Sequence, residues 1–306
     1  MILERISAQL ALPTPFLGKL ARTASHRYKE YPIKKKSGGT RTIHHPAREL
    51  KLIQTWLLHN VLIRLPVHAA ATAYRQGFSI KRNAEMHVSH NYLLRIDFQN
   101  FFPSLTGIDV VGILQANRQK LADVEVTDQD IIFITQIVCR YNSLTIGAPT
   151  SPQLSNAIMF KFDETWSRMA QALEVTYSRY ADNLYFSTNR PDTLREILGR
   201  LRESLNEVGH PALKINEDKT IFSSRKRRRL AAGLVLTSDR KISIGREKKR
   251  WIKSLVNRFK YKQLKPEEVA SLRGWISYLR SIEPTFVLSL ERKYGLDLAA
   301  NSTWEV

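Results

Sequence analysis

Residues 175–187, which read VTYSRYADNLYFS, decide the fold class of this chain. Two apolar, β-prone runs at residues 175–180 and 184–187 flank a short polar turn, and this pattern predicts two antiparallel strands with a tight connection. Asp182 lies at the tip of that hairpin. Residues 91–97 (NYLLRID) predict another buried strand, which ends on Asp97. The sequence therefore predicts two aspartates at the ends of buried strands.

The chemistry of these two acids suggests a metal site. A carboxylate that ends a buried strand is costly unless it is paired or binds a metal. Two such groups on adjacent strands would repel each other, and divalent cations are the usual remedy. Nucleotidyl transfer uses this arrangement, with two metals between two carboxylates, and Mg²⁺ prefers oxygen ligands. For either acid alone, a plainer interpretation competes: Asp97 caps the next segment and Asp182 is a turn residue.

The rest of the chain predicts a mixture of helices and short strands. An amphipathic helix is predicted in residues 1–20 and a hairpin in residues 28–44, with its turn at 37–39. Further helices are predicted at 49–63, 153–172 and 191–208, with mainly helical structure at 109–141 and helices from about 247 onward. Short strands are expected at 213–215 and 220–222, and a second hairpin from 230–236 and 241–244.

Composition points to a polyanionic partner. The 306 residues include 48 Lys and Arg against 28 acidic residues, a formal net charge of +20. Cationic side chains that neutralise phosphates release condensed counterions, so this excess favours nucleic acid, although an ordinary basic protein is the alternative. The single cysteine, Cys139, excludes an internal disulfide and a multi-cysteine zinc site, and fits the cytoplasm. No apolar run reaches the length of a membrane span, so no membrane partner is expected.

Four motifs resemble those of reverse transcriptases and occur in the order of that family. Residues 97–104 (DFQNFFPS) and 180–183 (YADN) resemble the two catalytic palm motifs, and residues 147–152 (GAPTSP) resemble the signature that borders the nucleotide and template. Residues 213–220 (LKINEDKT) resemble the segment that carries a lysine near the triphosphate. Residues 83–87 (NAEMH) resemble the Asn-Ala-x-x-His element of bacterial retron reverse transcriptases. The resemblance covers nearly the whole chain.

The resemblance implies an α+β fold shaped as a right hand, with an antiparallel palm sheet. Residues 1–90 would form an N-terminal helix and the fingers, 91–236 the palm with inserted fingers helices at about 107–150, and 237–306 a helical thumb. The implied activity is RNA-directed synthesis of DNA from dNTPs. The implied template is part of a cognate structured non-coding RNA, which also primes from a 2′-hydroxyl and yields a branched RNA-linked single-stranded DNA (msDNA). A separate effector protein and a role in anti-phage defence are implied as well.

The resemblance also implies roles for individual residues. The catalytic group comprises Asp97, Asp182, Asn183 and Lys219, and both aspartates would bind Mg²⁺, with Mn²⁺ as a substitute. Phe102 corresponds to the aromatic residue that excludes a ribose 2′-hydroxyl. The implied dNTP-binding residues are Arg41, Phe98, Phe102, Gly147, Ala148 and Pro149, with Lys34 or Lys36 as candidate assistants to Arg41. The implied nucleic-acid-binding residues are Arg75, Ser79, Asn83, His87, Arg225, Lys226, Arg227, Arg228, Arg229, Lys248, Lys249, Arg250 and Trp251.

Two departures from the family pattern leave alternatives open. Most reverse transcriptases have two consecutive aspartates where this chain has Asp182 and Asn183, and an amide is a poorer metal ligand. The enzyme tolerates the amide, or it is an engineered inactive variant, or it is a natural RNA-binding scaffold of the same fold. The triplet Val-Thr-Gly of retron enzymes is replaced by alanines at 231 and 232 before Gly233. For the basic run at 225–229 the alternative is a solvated loop, and for Trp251 it is a buried anchor.

Overall fold

The computed structural model describes residues 1–34, 38–300 and 304. The strands are β1 (Tyr28–Lys34), β2 (Thr40–Pro46), β3 (Tyr92–Asp97), β4 (Thr176–Tyr180), β5 (Asn183–Thr188), β6 (Ile221–Ser224), β7 (Arg229–Ala231), β8 (Leu234–Leu236) and β9 (Ile242–Ser243). The helices are α1 (Ile2–Leu10), α2 (Thr14–Arg22), α3 (Arg48–Asn60), α4 (Ile80–His87), α5 (Phe101–Ser104), α6 (Gly107–Ala116), α7 (Asp128–Val138), α8 (Ser151–Ile158), α9 (Phe160–Ala172), α10 (Thr193–Glu207), α11 (Arg246–Lys260), α12 (Pro266–Ile282) and α13 (Pro284–Tyr294).

A four-stranded antiparallel sheet of order β4-β5-β3-β6 forms the palm. The two central strands, β3 and β5, are largely buried, which is why the sequence there contains runs of apolar residues. The edge strand β6 is partly exposed. Helix α9 packs against β4 and α10 packs against β5 and β3. The ring of Trp166 in α9 meets Phe186 of β5 edge-on at 5.8 Å. The predicted hairpin at residues 175–187 and the predicted strand at 91–97 are confirmed.

The fingers combine the β1–β2 hairpin with helices from two parts of the chain. The inserted helices α6 and α7 pack on each other, and α7 also packs against α1, α2 and α3. The predicted single N-terminal helix is wrong in detail, because α1 ends before Ala11, which adopts a left-handed conformation. The chain then turns at Pro13, which caps α2 at its N-terminus. The predicted helix at 153–172 is likewise divided at Met159 into α8 and α9.

A second hydrophobic cluster joins the thumb helices α11–α13 to helix α4 and to the three-stranded sheet β7-β8-β9. The predicted hairpin of 230–236 and 241–244 is confirmed by the antiparallel pairing of β8 with β9, but its first segment is not one strand, because Ala232 and Gly233 both have positive φ and turn the chain there. Strand β8 therefore pairs with both β7 and β9. The domain boundary predicted between residues 236 and 237 falls inside this small sheet. The predicted strand at 213–215 forms only an isolated bridge, between Ile215 and Phe98.

Candidate active site

The palm register brings the two predicted acids to one end of the sheet. Asp97 ends β3 directly opposite Asn183, the first residue of β5. The backbone N–H of Phe98 donates a hydrogen bond of 2.9 Å to the carbonyl oxygen of Asp182, which ties the two motifs together beyond the strands. Ala181 has a φ of +55°, so the turn before Asp182 is tight. Asp97 is buried and Asp182 is partly buried, as expected for acids at the floor of a cleft.

A buried ion pair supports the hairpin from behind. Arg179 of β4 donates from Nε to Asp163 Oδ1 at 2.9 Å and from Nη2 to Asp163 Oδ2 at 2.6 Å, and neither side chain is exposed. Its Nη1 donates to the carbonyl oxygen of Ala181 at 3.1 Å. Tyr177 donates its hydroxyl to Asp163 at 2.7 Å. The sequence analysis missed this pair, whose available signal was an arginine within an apolar strand.

The charges around the acids favour a bound cation. Burial, and after it the nearby Asp97 carboxylate, raises the pKa of Asp182. Lys219 Nζ lies 2.9 Å from Asp97 Oδ1, and Asn216 Nδ2 donates to the same oxygen at 3.3 Å. Asn183 Nδ2 donates to Asp182 Oδ1 at 2.8 Å. An ammonium group and two amides thus offset two carboxylates that would otherwise repel each other.

The donor set suits a hard divalent cation with few protein ligands. Asp97 and Asp182 supply carboxylate oxygens, the ligands that Mg²⁺ prefers, and Mg²⁺ commonly binds through one or two carboxylates plus substrate phosphates. Within the described ranges, no group of three or more His, Cys, Asp or Glu residues could hold a metal ion. Asn183, which follows Asp182, carries an amide instead of a third carboxylate. The residues therefore fit Mg²⁺, with less negative charge than a three-carboxylate site.

A cleft of about 630 Å³ opens above the acids. Fingers, palm and the loop between β3 and α5 all contribute to its walls. The exposed Arg41 of β2, the half-buried Phe102 of α5 and Lys219 face it together with the two acids. Tyr74, which the sequence analysis did not single out, also lines it. The cleft therefore combines cationic side chains, aromatic rings and carboxylates, a set suited to a nucleoside triphosphate.

Three of the predicted dNTP-binding residues lie outside the lining of this cleft. Gly147 has a φ of +117°, and a Cβ atom there would lie 2.6 Å from the carbonyl oxygen of His44. The backbone N–H of His44 also donates to the carbonyl oxygen of Ile146 at 2.8 Å. Gly147 therefore allows this segment to pack against strand β2. Its neighbour Ala148 is buried and Pro149 is half-buried.

Phe98 borders the cleft, but its ring is buried and stacks on Phe101. The ring thus supports the floor of the cleft from below. The predicted role of Phe98 in dNTP binding stays a prediction. Of the candidate assistants to Arg41, Lys34 is exposed at the end of β1, and Lys36 lies outside the described residues.

The retron-type element is buried, which corrects the predicted contacts of Asn83 and His87 with nucleic acid. Both side chains are inaccessible to solvent. Asn83 Nδ2 donates to Ser178 Oγ at 2.7 Å, and the two ring nitrogens of His87 lie 2.7 Å from Ser178 Oγ and Ser187 Oγ. Burial, and after it His90, lowers the pKa of His87 to about 3, so the imidazole is neutral. The element joins helix α4 to the palm strands β4 and β5.

The predicted basic contacts separate into exposed and engaged side chains. Arg229 is buried and donates to the backbone carbonyl oxygens of His90 and Thr237, so its predicted contact with nucleic acid is not possible in this conformation. Lys249 forms an ion pair of 2.5 Å with Glu283. Arg75 donates to two backbone carbonyl oxygens, and Ser79 caps helix α4. The remaining predicted contacts are exposed: Arg225, Lys226, Arg227, Arg228, Lys248, Arg250 and Trp251.

Comparison with known proteins identifies the family. Residues 33–236 match the family described as reverse transcriptase (RNA-dependent DNA polymerase). The chain is 38% identical to the Retron Ec83 reverse transcriptase of Escherichia coli, over 90% of this chain and 89% of that protein. It is 33% identical to the Retron Ec73 reverse transcriptase of the same species, over 96% of this chain and 95% of the relative. The chain belongs to the retron reverse transcriptases.

The predicted right-hand α+β fold and the predicted activity, RNA-directed DNA polymerase, are thereby confirmed. Among solved structures, telomerase from Candida albicans in complex with a TWJ fragment of telomeric RNA aligns with a TM-score of 0.49 and 12% identity. The alignment covers 90% of this chain and 58% of the telomerase chain, less than two thirds of its length. No helix in the parts of the chain that the structure describes has the length and apolar character needed to cross a membrane.

Proposed function

We propose that this reverse transcriptase copies part of a cognate structured non-coding RNA into a branched, RNA-linked single-stranded DNA (msDNA). The observation that carries the proposal is the cleft in which Asp97 and Asp182 face Arg41, Phe102 and Lys219. The similarity to two retron reverse transcriptases over most of their length supports a structured RNA as the template.

We propose Mg²⁺ as the cofactor, held by Asp97 and Asp182, with Mn²⁺ as a substitute. The bound metal supplies activation of the attacking hydroxyl and neutralisation of the pyrophosphate charge. Arg41 binds the triphosphate, because a guanidinium offers paired donors to phosphate oxygens. Lys219 has a half-exposed side chain beside Asp97, from which it would donate to the pyrophosphate. Phe102 lines the cleft, and by resemblance to the family its ring would exclude a ribose 2′-hydroxyl and thereby select deoxynucleotides.

Asn183 favours a second candidate, a catalytically inactive scaffold that binds RNA or msDNA. Its amide donates to Asp182 and replaces a carboxylate, so the site carries less charge for a second metal. This applies whether Asn183 is native or engineered. The two acids, the lysine and the cleft are complete in other respects, which favours the active enzyme.

We propose further that the exposed basic residues of the 225–228 turn and of α11 bind the RNA, and that the protein works in the cytoplasm. A separate effector protein and anti-phage defence complete the proposal. Its support is the formal net charge of +20 and the retron relatives. Exposed lysines and arginines that contact phosphates release condensed counterions, and this release contributes to the affinity for a nucleic-acid backbone.

The test is labelled dNTP incorporation by the protein purified with its co-expressed RNA, in Mg²⁺ and in Mn²⁺. Incorporation by the parent that is lost in Asp182→Ala, with DNA that remains attached to RNA on a denaturing gel, is the expected result. Activity only in Asn183→Asp would identify an inactivated enzyme. No activity in the parent and in Asn183→Asp, with tight binding of the RNA, would identify the scaffold.

A further inference from the structure

We infer that Tyr74 is a positioning residue that holds the ring of Phe102 in place and thereby sets the preference of the enzyme for deoxyribose over ribose. The inference rests on the proposed function of Phe102. Tyr74 begins the stretch 74–79, which resembles a template-contacting loop of the family and in which the resemblance implies roles only for Arg75 and Ser79. It reaches the cleft from the loop before helix α4.

The backbone of Tyr74 is in an unfavourable conformation. Its φ is +61°, a left-handed value that large L-residues seldom adopt. Such strain persists only where the surrounding structure imposes it, and it concentrates at functional sites. Tyr74 is 49% exposed, so burial of its side chain contributes little free energy to offset the strain. A role in stability alone therefore explains this conformation poorly.

The chain is fixed on both sides of Tyr74. Before it, Thr72 N–H donates to the carbonyl oxygen of Arg179 at 2.8 Å, and the buried Asn156 donates to the carbonyl oxygen of Ala73 at 2.9 Å. After it, Arg75 Nη1 donates to the carbonyl oxygens of His68 and Ala71. These bonds are made by the palm and by the loop itself. Between these anchored positions, Tyr74 lines the cleft.

In the cleft, Tyr74 meets the predicted sugar-selecting residue. The ring centroids of Tyr74 and Phe102 are 6.4 Å apart, and the rings are tilted by 47°. Phe101 packs edge-on against Phe102 at 5.5 Å. Phe102 therefore has two aromatic neighbours, one from its own helix and one from the loop. Loss of the Tyr74 ring would leave Phe102 free to rotate away from the position that a 2′-hydroxyl would occupy.

The experiment measures kcat/KM for dCTP and for CTP on an RNA template and takes their ratio. We expect Tyr74→Ala to lower the ratio by about fivefold to tenfold, the factor that corresponds to the loss of one aromatic ring pair. Tyr74→Phe keeps the ring and should retain the ratio. Phe102→Ala should lower the ratio, and adding Tyr74→Ala to it should lower it no further, because Tyr74 acts through Phe102.

A glycine variant separates this role from a structural one. Glycine adopts positive φ without strain, so we expect Tyr74→Gly to keep or raise the Tm while it lowers the ratio as Tyr74→Ala does. Tyr31→Ala is the matched control, because Tyr31 has a similar exposure of 48%, lies in strand β1 and is not among the residues that line the cleft. Its ratio should equal that of the parent. A ratio that is unchanged in Tyr74→Ala, or that falls equally with and without Phe102, would overturn the inference.

The inference remains testable if the parent does not incorporate nucleotides. The ratio is then taken from the Kd values of dCTP and CTP on a preformed complex with an RNA–DNA duplex, and the same variants are compared. Absence of incorporation would count against the proposed activity. Equal Kd ratios for the parent and Tyr74→Ala would count against the role of Tyr74.

Discussion

Replacing Asp163 with alanine should cost about 3–5 kcal/mol of the free energy of unfolding, the range for removing one partner of a buried ion pair. Asp163 and Arg179 are both completely buried. Among the hydrogen bonds that the Arg179 guanidinium makes to the described residues, the one to the carbonyl oxygen of Ala181 would remain. It would also leave the hydroxyl of Tyr177 without its acceptor, and an unsatisfied buried donor costs about 1–3 kcal/mol. These costs overlap, so their sum is an upper bound.

The assay is urea unfolding followed by circular dichroism, with Glu174→Ala as the matched control. Glu174 pairs with Arg190, which also lies 16 residues away, but these side chains are 65% and 57% exposed. An exposed pair contributes about 0–1 kcal/mol. Asp163→Asn should fall between the two variants, because it retains an oxygen acceptor for Tyr177. If Asp163→Ala cost no more than Glu174→Ala, the claim that this pair supports the Ala181–Asp182 turn would be refuted.

Three further predictions concern the active site and its surroundings. Burial and the nearby Asp97 carboxylate raise the pKa of Asp182, so ionisation of Asp182 destabilises the metal-free fold as the pH rises from the ordinary pKa of 3.8 through the raised pKa. Asp182→Asn should therefore raise the Tm in EDTA at pH 7 but not at pH 3. Equal gains in Tm at the two pH values would contradict this prediction. Gly147→Ala should cost about 1–3 kcal/mol in urea unfolding, from strain and the contact with the His44 carbonyl, and more than Gly77→Ala, which meets no atom within 4 Å. His87→Ala should cost about 2–4 kcal/mol of the free energy of unfolding through lost packing and unpaired serines, without weakening RNA binding by the folded protein. Arg227→Ala should weaken RNA binding and leave the stability unchanged. Filter binding with matched unfolding curves tests both variants, and the reverse pattern would restore the predicted nucleic-acid contact of His87.

The sequence predicted the palm well because local patterns specify it. Buried strands with a tight turn need only alternation, turn residues and β-prone side chains, and these lie within a dozen residues of each other. The register that sets Asp97 of β3 opposite Asn183 of β5 is not local, and only the resemblance to the palm motifs implied that the two acids meet. Likewise, the pair Arg179–Asp163 and the Tyr74–Phe102 contact each join side chains from different elements of the fold. No local pattern indicates such partners.

The misassigned residues show where residue type misleads. Arg229 belongs to a run of cations, and its charge predicted an exposed side chain. Strand β7 begins at Arg229, however, and the alternation of a strand turns that side chain inward. Asn83 and His87 are four residues apart and therefore share one face of helix α4. That spacing was visible in the sequence, but only the palm strands reveal that this face is buried.

Asn183 is best understood through the electrostatics of the metal-free cleft. Burial, and after it the Asp97 carboxylate, already raises the pKa of Asp182, and Lys219 and two amides offset the charge of the two carboxylates. A third carboxylate at position 183 would add repulsion that only metal could relieve, because Lys219 already engages Asp97. We therefore expect Asn183→Asp to lower the Tm in EDTA and to raise the gain in Tm on adding Mg²⁺. Asparagine at this position would then lower the affinity for metal and raise the stability of the enzyme without metal. An Asn183→Asp variant with an unchanged Tm in EDTA would refute this explanation.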